Sequence, residues 1–284
     1  MLSPAQIEHY QTFGFVILRS YFSPQEVAAL LEESTRKLTV EYRHRVFDGT
    51  LRHFCCMNDD EMAPTSARLL EDARFFDVAE QLIGGPALPM WNDANRYVDA
   101  ITGWHPDVPI EPWGMRLPAV KFCHYLQPLR AQSGALRVIP GSHHQPYHDH
   151  IKRFLGSQQP PTEAVPAMVC ETDPGDVVVF STPTWHASVG GLPDRRLSTI
   201  AYYPCPRTTE DRDGLLQSLR EQVPAIRTNN HWQGDVFPRA WIERSASDPA
   251  RRRVVERIQA FGVFAAVGSD AEAAEAVLAS AAQR

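Results

Sequence analysis

The period of the hydrophobic positions changes near residue 87. Before it, apolar residues recur at helical spacing. After it, they fall in short runs separated by Pro and Gly. Ser3-Pro4-Ala5-Gln6 is a capping box with Pro at the first helical position. Ile7 and Tyr10 follow, and Gly14 ends the helix. Phe15-Val16-Ile17-Leu18 reads as a short strand. A second box, Ser23-Pro24-Gln25-Glu26, opens a helix through Val27, Leu30 and Leu31 toward Leu38. Residues 40–65 have no clean period and are expected to be loop-rich. Residues 66–83 return to helical spacing, with Leu69, Leu70, Phe76, Val78, Ala79 and Leu82, until Gly84-Gly85-Pro86 stops the helix.

Beyond residue 87 the runs are rich in β-branched and aromatic residues. They cover 88–98, 117–126, 135–139, 165–170, 176–181 and 195–203. Short strands at this spacing, with turn residues between them, predict an all-β sandwich or barrel. Residues 207–250 read as an irregular stretch containing Trp and Pro. Helical patterns return at 250–261 and 270–283; the last is Ala-rich and expected to be peripheral. The predicted organisation is one domain over 1–284. Residues 1–86 form a helical and strand support, 87–205 the β core, and 206–284 an extension with helices.

The chain has 284 residues, 43% of them hydrophobic and 22% charged, with a formal net charge of −6. These values describe a globular protein able to bury a substantial core, without the basic footprint of a nucleic-acid binder. No apolar run approaches the roughly 18 residues of a membrane span, and the first residues lack the basic and apolar regions of a signal peptide. The five cysteines include the adjacent pair Cys55–Cys56 and no CxxC, so neither a zinc knuckle nor a redox motif is indicated. A reduced, cytoplasmic protein with no membrane and no nucleic-acid partner is expected.

Eleven histidines raise the question of a metal. His105-Pro106-Asp107 places an imidazole and a carboxylate two residues apart, so on an extended segment they project the same way. One further His would complete a facial triad of two His and one carboxylate, which leaves positions open on Fe(II). A loop His beside a turn Asp has the same spelling. His186, at the far end of the apolar run in PGDVVVFSTPTWHASVGG, is the natural third ligand; alone it also reads as an interior His beside Trp185. Arg195 and Arg196 follow at the start of the next strand. Their side chains point to opposite faces, so one of them can reach inward to grip a carboxylate, or both can sit on an exposed strand end. The dense group from His143 to His150 follows Pro140-Gly141 and reads as a surface loop rather than a metal site.

Taken together, these blocks resemble the phytanoyl-CoA dioxygenase family of Fe(II)/2-oxoglutarate-dependent oxygenases. TFGFVILRSYFSPQEVAAL is similar to the family's opening helix–strand–helix, and GWHPD to its HxD segment. SGALRVIPGSHH, PGDVVVFSTPTWHAS and RRLSTIAYY are similar to the three blocks that follow, in order, over roughly residues 5–205. The resemblance implies a double-stranded β-helix, that is, a mainly β jelly roll of cupin type with flanking α-helices. It implies that His105, Asp107 and His186 bind Fe(II), and that Arg195, with Arg196 as the alternative, binds the distal carboxylate of 2-oxoglutarate. Asn92 and Thr102 are further candidates for contact with 2-oxoglutarate, beside a plain strand-packing reading.

The implied reaction consumes O₂ and 2-oxoglutarate, yields succinate and CO₂, and oxidises a small-molecule substrate, most simply by hydroxylation. Desaturation and ring closure are further outcomes. The carboxylate at Asp107 argues against halogenation, which in relatives goes with its loss. Pro106 and Ala187 depart from the residues common at their positions without removing a ligand. Trp113, Arg116 and Trp232 are candidate substrate contacts, and Arg52 and Arg227 could meet an anionic group. The acidic balance favours a small substrate, for example a natural-product intermediate or an amino-acid-like compound, over a bulky polyanion. Two other classes stay open: a non-catalytic jelly-roll binder, and a metal enzyme of this fold that does not use 2-oxoglutarate.

Overall fold

The computed structural model describes residues 1–49, 51–97, 102–107 and 112–282. Both N-terminal capping boxes form. Ser3 caps α1 (Pro4–Phe13) and Ser23 caps α2 (Pro24–Glu41), each reciprocated by the side chain three residues on. Between them lies β1 (Phe15–Leu18). The stretch expected to be loop-rich contains a buried strand, β2 (His53–Cys56). Of residues 66–83, a 3₁₀ turn takes Ser66–Arg68 and α3 begins only at Ala73, running to Ile83 with Asp72 as its cap.

The strands that follow are β3 (Ala87–Tyr97), β4 (Thr102–His105), β5 (Val120–Tyr125) and β6 (Ser133–Val138), with a short helix α4 (Pro112–Arg116) between β4 and β5. After α5 (Tyr147–Gln158) come β7 (Met168–Cys170), β8 (Val177–Ser181), β9 (His186–Gly190) and β10 (Arg195–Pro204). They form two antiparallel sheets, six strands in the order β1-β8-β5-β10-β3-β2 and four in the order β4-β9-β6-β7. This is the jelly roll expected. The helices nevertheless hold more residues than the strands.

The residues read as irregular, 207–250, contain the longest helix of the described chain. This is α6 (Thr209–Asn230), which carries Pro224 inside it. The chain ends in α7 (Arg239–Glu243), α8 (Pro249–Ala260), α9 (Val263–Val267) and α10 (Ala271–Ala282). The final helix is not merely peripheral: it packs on α7 and α8, with Ala273 and Ala274 buried.

The alternation of the large sheet separates two apolar layers. Phe122, Ile200 and Tyr202 point outward, where Phe75 and Phe76 of α3 close over them in one cluster that runs from Leu2 to Ala274. Phe15, Cys123, Tyr125, Leu136, Val138, Val178 and Phe180 fill the space between the sheets. The same period sends Trp91, Asp93, Asn95 and Tyr97 of β3 and Arg195, Leu197, Thr199 and Ala201 of β10 into a cavity at the open end of the roll. Among the described residues all five cysteines are free, and no helix is long and apolar enough to cross a membrane.

Candidate active site

His105 closes β4 and His186 opens β9, and the two residues are direct partners in the sheet register. Asp107 follows at the end of a tight turn whose backbone N–H donates to the Thr182 carbonyl at 2.8 Å. The ligand atoms of these three residues lie within 4.8 Å of one another. His105 Nε2 is 3.6 Å from one Asp107 oxygen, and His186 Nε2 is 3.7 Å from the other. Each imidazole is oriented from behind. His105 Nδ1 donates to the Gly103 carbonyl at 2.8 Å, and His186 Nδ1 donates to the Thr184 carbonyl at 2.9 Å. A carbonyl can only accept, so these bonds put the proton on Nδ1 and leave the Nε2 lone pair facing Asp107. Two imidazole nitrogens and a carboxylate directed to one point are the donor set that suits a divalent iron ion.

At His186 and Asp107 the electrostatics agree with that donor set; at His105 burial is outweighed by Asp107, which raises the pKa above 6.5. Burial lowers the His186 pKa to about 4, so the ring is neutral near pH 7. Burial alone would raise Asp107, but the Lys121 ammonium holds it well below the usual carboxylate range. Lys121 reaches from β5 to an Asp107 oxygen at 2.7 Å.

The loop before His186 is buttressed on two sides. Ser142 Oγ, fully buried, accepts the Trp185 N–H at 2.8 Å. Thr184 Oγ1 donates to the Gly14 carbonyl at 3.1 Å, and His143 donates to the Gln11 carbonyl. The His143–His150 segment is mostly exposed, as expected from the sequence, but it is not all loop. Its second half starts α5, and His148 is buried. It still belongs to no metal cluster among the described residues.

At the other end of the cavity lies Arg195, buried, with Nη1 donating to the Gly134 carbonyl at 2.8 Å and Nη2 3.4 Å from Ser188 Oγ. Its guanidinium sits 4.1 Å from the Tyr97 ring centre. Arg196 turns to the opposite face, pairs with Asp194 at 2.6 Å and donates to Thr35. The cavity, of about 680 Å³, joins the two ends, and His105, Asp107, His186, Thr102 and Arg195 all line it. That volume lies within the range of small-molecule sites.

The other candidates lie elsewhere. Asn92 points to the outer face, donating to Asn58 Oδ1 and the Ser66 carbonyl. Arg116 is paired with Glu210 and Asp211. Trp232 is fully buried against Phe54, behind the cavity wall. Trp113 lies in the first turn of α4, but its side chain falls outside the described residues. Arg52 does line the cavity, whereas Arg227 does not.

Lys121, Asp93 and Tyr97 are among the polar cavity residues that went unread in the sequence. The signal was available, since a charged residue in the alternating run Val120–Tyr125 must either break the core or face a polar space.

The phytanoyl-CoA dioxygenase (PhyH) family matches residues 10–192. The fold is a jelly roll, and its paired histidines with a carboxylate form a cluster that could hold a metal ion. The chain belongs to the phytanoyl-CoA dioxygenase family of Fe(II)/2-oxoglutarate-dependent oxygenases. It is similar to the ectoine dioxygenase of Bordetella parapertussis, with 27% identity over 56% of this chain and 57% of that protein. It therefore spans a little over half the length of that relative. The ectoine dioxygenase of Sphingopyxis alaskensis is 26% identical over 89% of this chain and 86% of its own. Among solved structures, HygX from Streptomyces hygroscopicus, with nickel and 2-oxoglutarate bound, superposes with a TM-score of 0.57. That match has 21% identity and covers 72% of this chain and 88% of HygX, a likeness of fold.

Proposed function

We propose that this chain is an Fe(II)/2-oxoglutarate-dependent dioxygenase that hydroxylates a small molecule. The balanced reaction is substrate R–H plus O₂ plus 2-oxoglutarate, giving R–OH, succinate and CO₂. The observation that carries this reading is the joint lining of one cavity by the His105–Asp107–His186 cluster and the buried Arg195. A non-catalytic binder has no need of either, and a metal enzyme without 2-oxoglutarate has no need of the arginine.

His105, Asp107 and His186 would hold the iron, which when bound supplies O₂ chemistry through the positions these three leave open. The Gly103 and Thr184 carbonyls hold both imidazoles in the tautomer that presents Nε2. Lys121 takes one oxygen of Asp107 and restrains the carboxylate from rotating. Arg195, with Ser188 beside it, would receive the distal carboxylate of 2-oxoglutarate, because a guanidinium offers paired donors to two oxygens. Thr102, Leu136 and Leu197 would flank the carbon chain between the two ends. With Asp107 present as a ligand, transfer of hydroxyl rather than halide is the expected outcome. The names of the relatives, with ectoine among their substrates, support a small-molecule substrate.

The test is succinate formation from 2-oxoglutarate by protein supplied with Fe(II) and ascorbate. The wild type is expected to form succinate, slowly without substrate and faster with it. His105→Ala and His186→Ala are expected to form none while melting near the wild-type temperature. Equal turnover in either variant would remove the ligand assignment.

A further inference from the structure

Asp93 lies at the centre of the cavity face of β3, opposite Thr199 of β10, and Thr199 in turn faces Cys123 of β5. Its residue is 6% exposed, so the carboxylate is nearly withdrawn from bulk water. One oxygen accepts from Asn95 Nδ2 at 2.5 Å and the other from Thr199 Oγ1 at 2.6 Å. Both donors are neutral. An ionised carboxylate offers about four acceptor positions, and burying one without a cation is costly.

The cations that share the cavity are committed elsewhere. Lys121 is bonded to Asp107. Arg195 is bonded to Gly134 at the far end. Arg52, at the exposed rim, donates its Nε to Asn95 Oδ1 and not to Asp93. Burial outweighs the Thr199 and Asn95 hydrogen bonds and the nearby charges of Lys121 and Arg52, and raises the Asp93 pKa. Among the described residues Asp93 belongs to no metal cluster. Trp91, Phe54 and Tyr203 line the same cavity, and aromatic faces favour a cation held next to a carboxylate.

We infer that Asp93 is the specificity residue for the substrate, and that the substrate carries a protonated nitrogen, an ammonium or amidinium, which seats on this carboxylate. The inference rests on the Fe(II)/2-oxoglutarate reading of the same cavity. A nitrogen anchored at Asp93 supplies the direct ion pair that neither Lys121 nor Arg52 makes with it, and fixes which C–H faces the metal cluster. Lys121, two residues along from Cys123 on the same face of β5 and paired with Ala201 of β10, bonds Asp107 and keeps the substrate cation away from the metal ligands.

The experiment uses wild-type protein with Mn(II) and 2-oxoglutarate, without O₂. Ligands are small cyclic and linear amines and amidines, each paired with its N-acetylated form and with a carboxylate of the same carbon skeleton. Binding is measured by calorimetry and by thermal shift. Amines or amidines are expected to bind, and acetylation to weaken binding about 10- to 100-fold, the loss of one charge-assisted contact. Asp93→Asn keeps the shape, its amide oxygen accepting from Asn95 and its NH2 donating to Thr199 Oγ1, and is expected to show the same loss while binding 2-oxoglutarate as the wild type does. Strongest binding by neutral or anionic members, binding by none of the amines, or amine affinity unchanged in Asp93→Asn would each overturn the inference. If Asp93→Asn does not fold, the paired panel on the wild type decides alone. Failure of 2-oxoglutarate itself to bind the wild type would instead remove the functional reading on which the inference stands.

Discussion

Gly134 leaves the space that the Arg195 guanidinium fills, since a Cβ there would lie 2.4 Å from Nη1, and the backbone has φ +91°. Gly134→Ala is therefore expected to cost about 1–3 kcal/mol in stability. It should also weaken 2-oxoglutarate binding about 10- to 100-fold, with metal affinity preserved. Calorimetry of the folded variant checks both. His124 shows a different kind of residue-scale constraint. It faces the outer layer of the large sheet, 5.0 Å from the Phe22 ring, with neither nitrogen hydrogen-bonded. Burial lowers its pKa from 6.5 to about 3. Between those values the unfolded chain takes up a proton that the folded chain refuses, so stability falls as the pH falls. The contribution is about 1.4 kcal/mol per pH unit below 6.5. His124→Leu is expected to remove that part of the slope, measured by denaturant unfolding between pH 7 and pH 4; identical slopes would count against it.

Elements with a local signal were legible, and those held by tertiary contacts were not. Ser3 and Ser23 announce α1 and α2 because capping is a property of neighbouring residues. β5, β8 and β10 announce themselves through β-branched and aromatic runs. α6 was hidden by Pro224 and by its polar exposed face, yet Leu215, Leu219 and Val223 bury it against the rest of the fold. β2 and β4 are four residues long and owe their pairing to β3 and β9, so no local period marks them. Of the site, the triad and the arginine pair were legible as spellings, but only the β10 register separates the inward Arg195 from Arg196. Asp176 exemplifies what joins the elements. It accepts from Arg19, from the Ser20 N–H and from the Asp173 N–H, fixing β1 beside β8. Asp176→Ala is expected to cost about 2 kcal/mol, read as a lower unfolding midpoint. The Ser20 N–H, the Asp173 N–H and Arg19 outweigh burial and hold the Asp176 pKa below 3.8. The wild-type contribution is therefore complete above that value and lost as the pH falls through the lowered one.

At the scale of the whole molecule, the two sheets and α6 enclose one cavity whose ends differ chemically. The His105–Asp107–His186 cluster stands at one end and a buried arginine at the other, with apolar side chains and Asp93 between them. A dianion with a chelating head and a distal carboxylate matches that polarity. Ligands that bind only the folded state raise the melting temperature. Mn(II) is therefore expected to stabilise the wild type, with a chelator reversing the effect, and to leave His186→Ala unmoved. The most direct test of the account is calorimetric titration of 2-oxoglutarate, without O₂, into the wild type and into Arg195→Met, each with and without Mn(II). The account predicts one site per chain in the wild type, dependent on the metal, and weakened at least about tenfold by loss of the guanidinium. Absence of binding to the metal-loaded wild type, or binding indifferent to both the metal and Arg195, would contradict it.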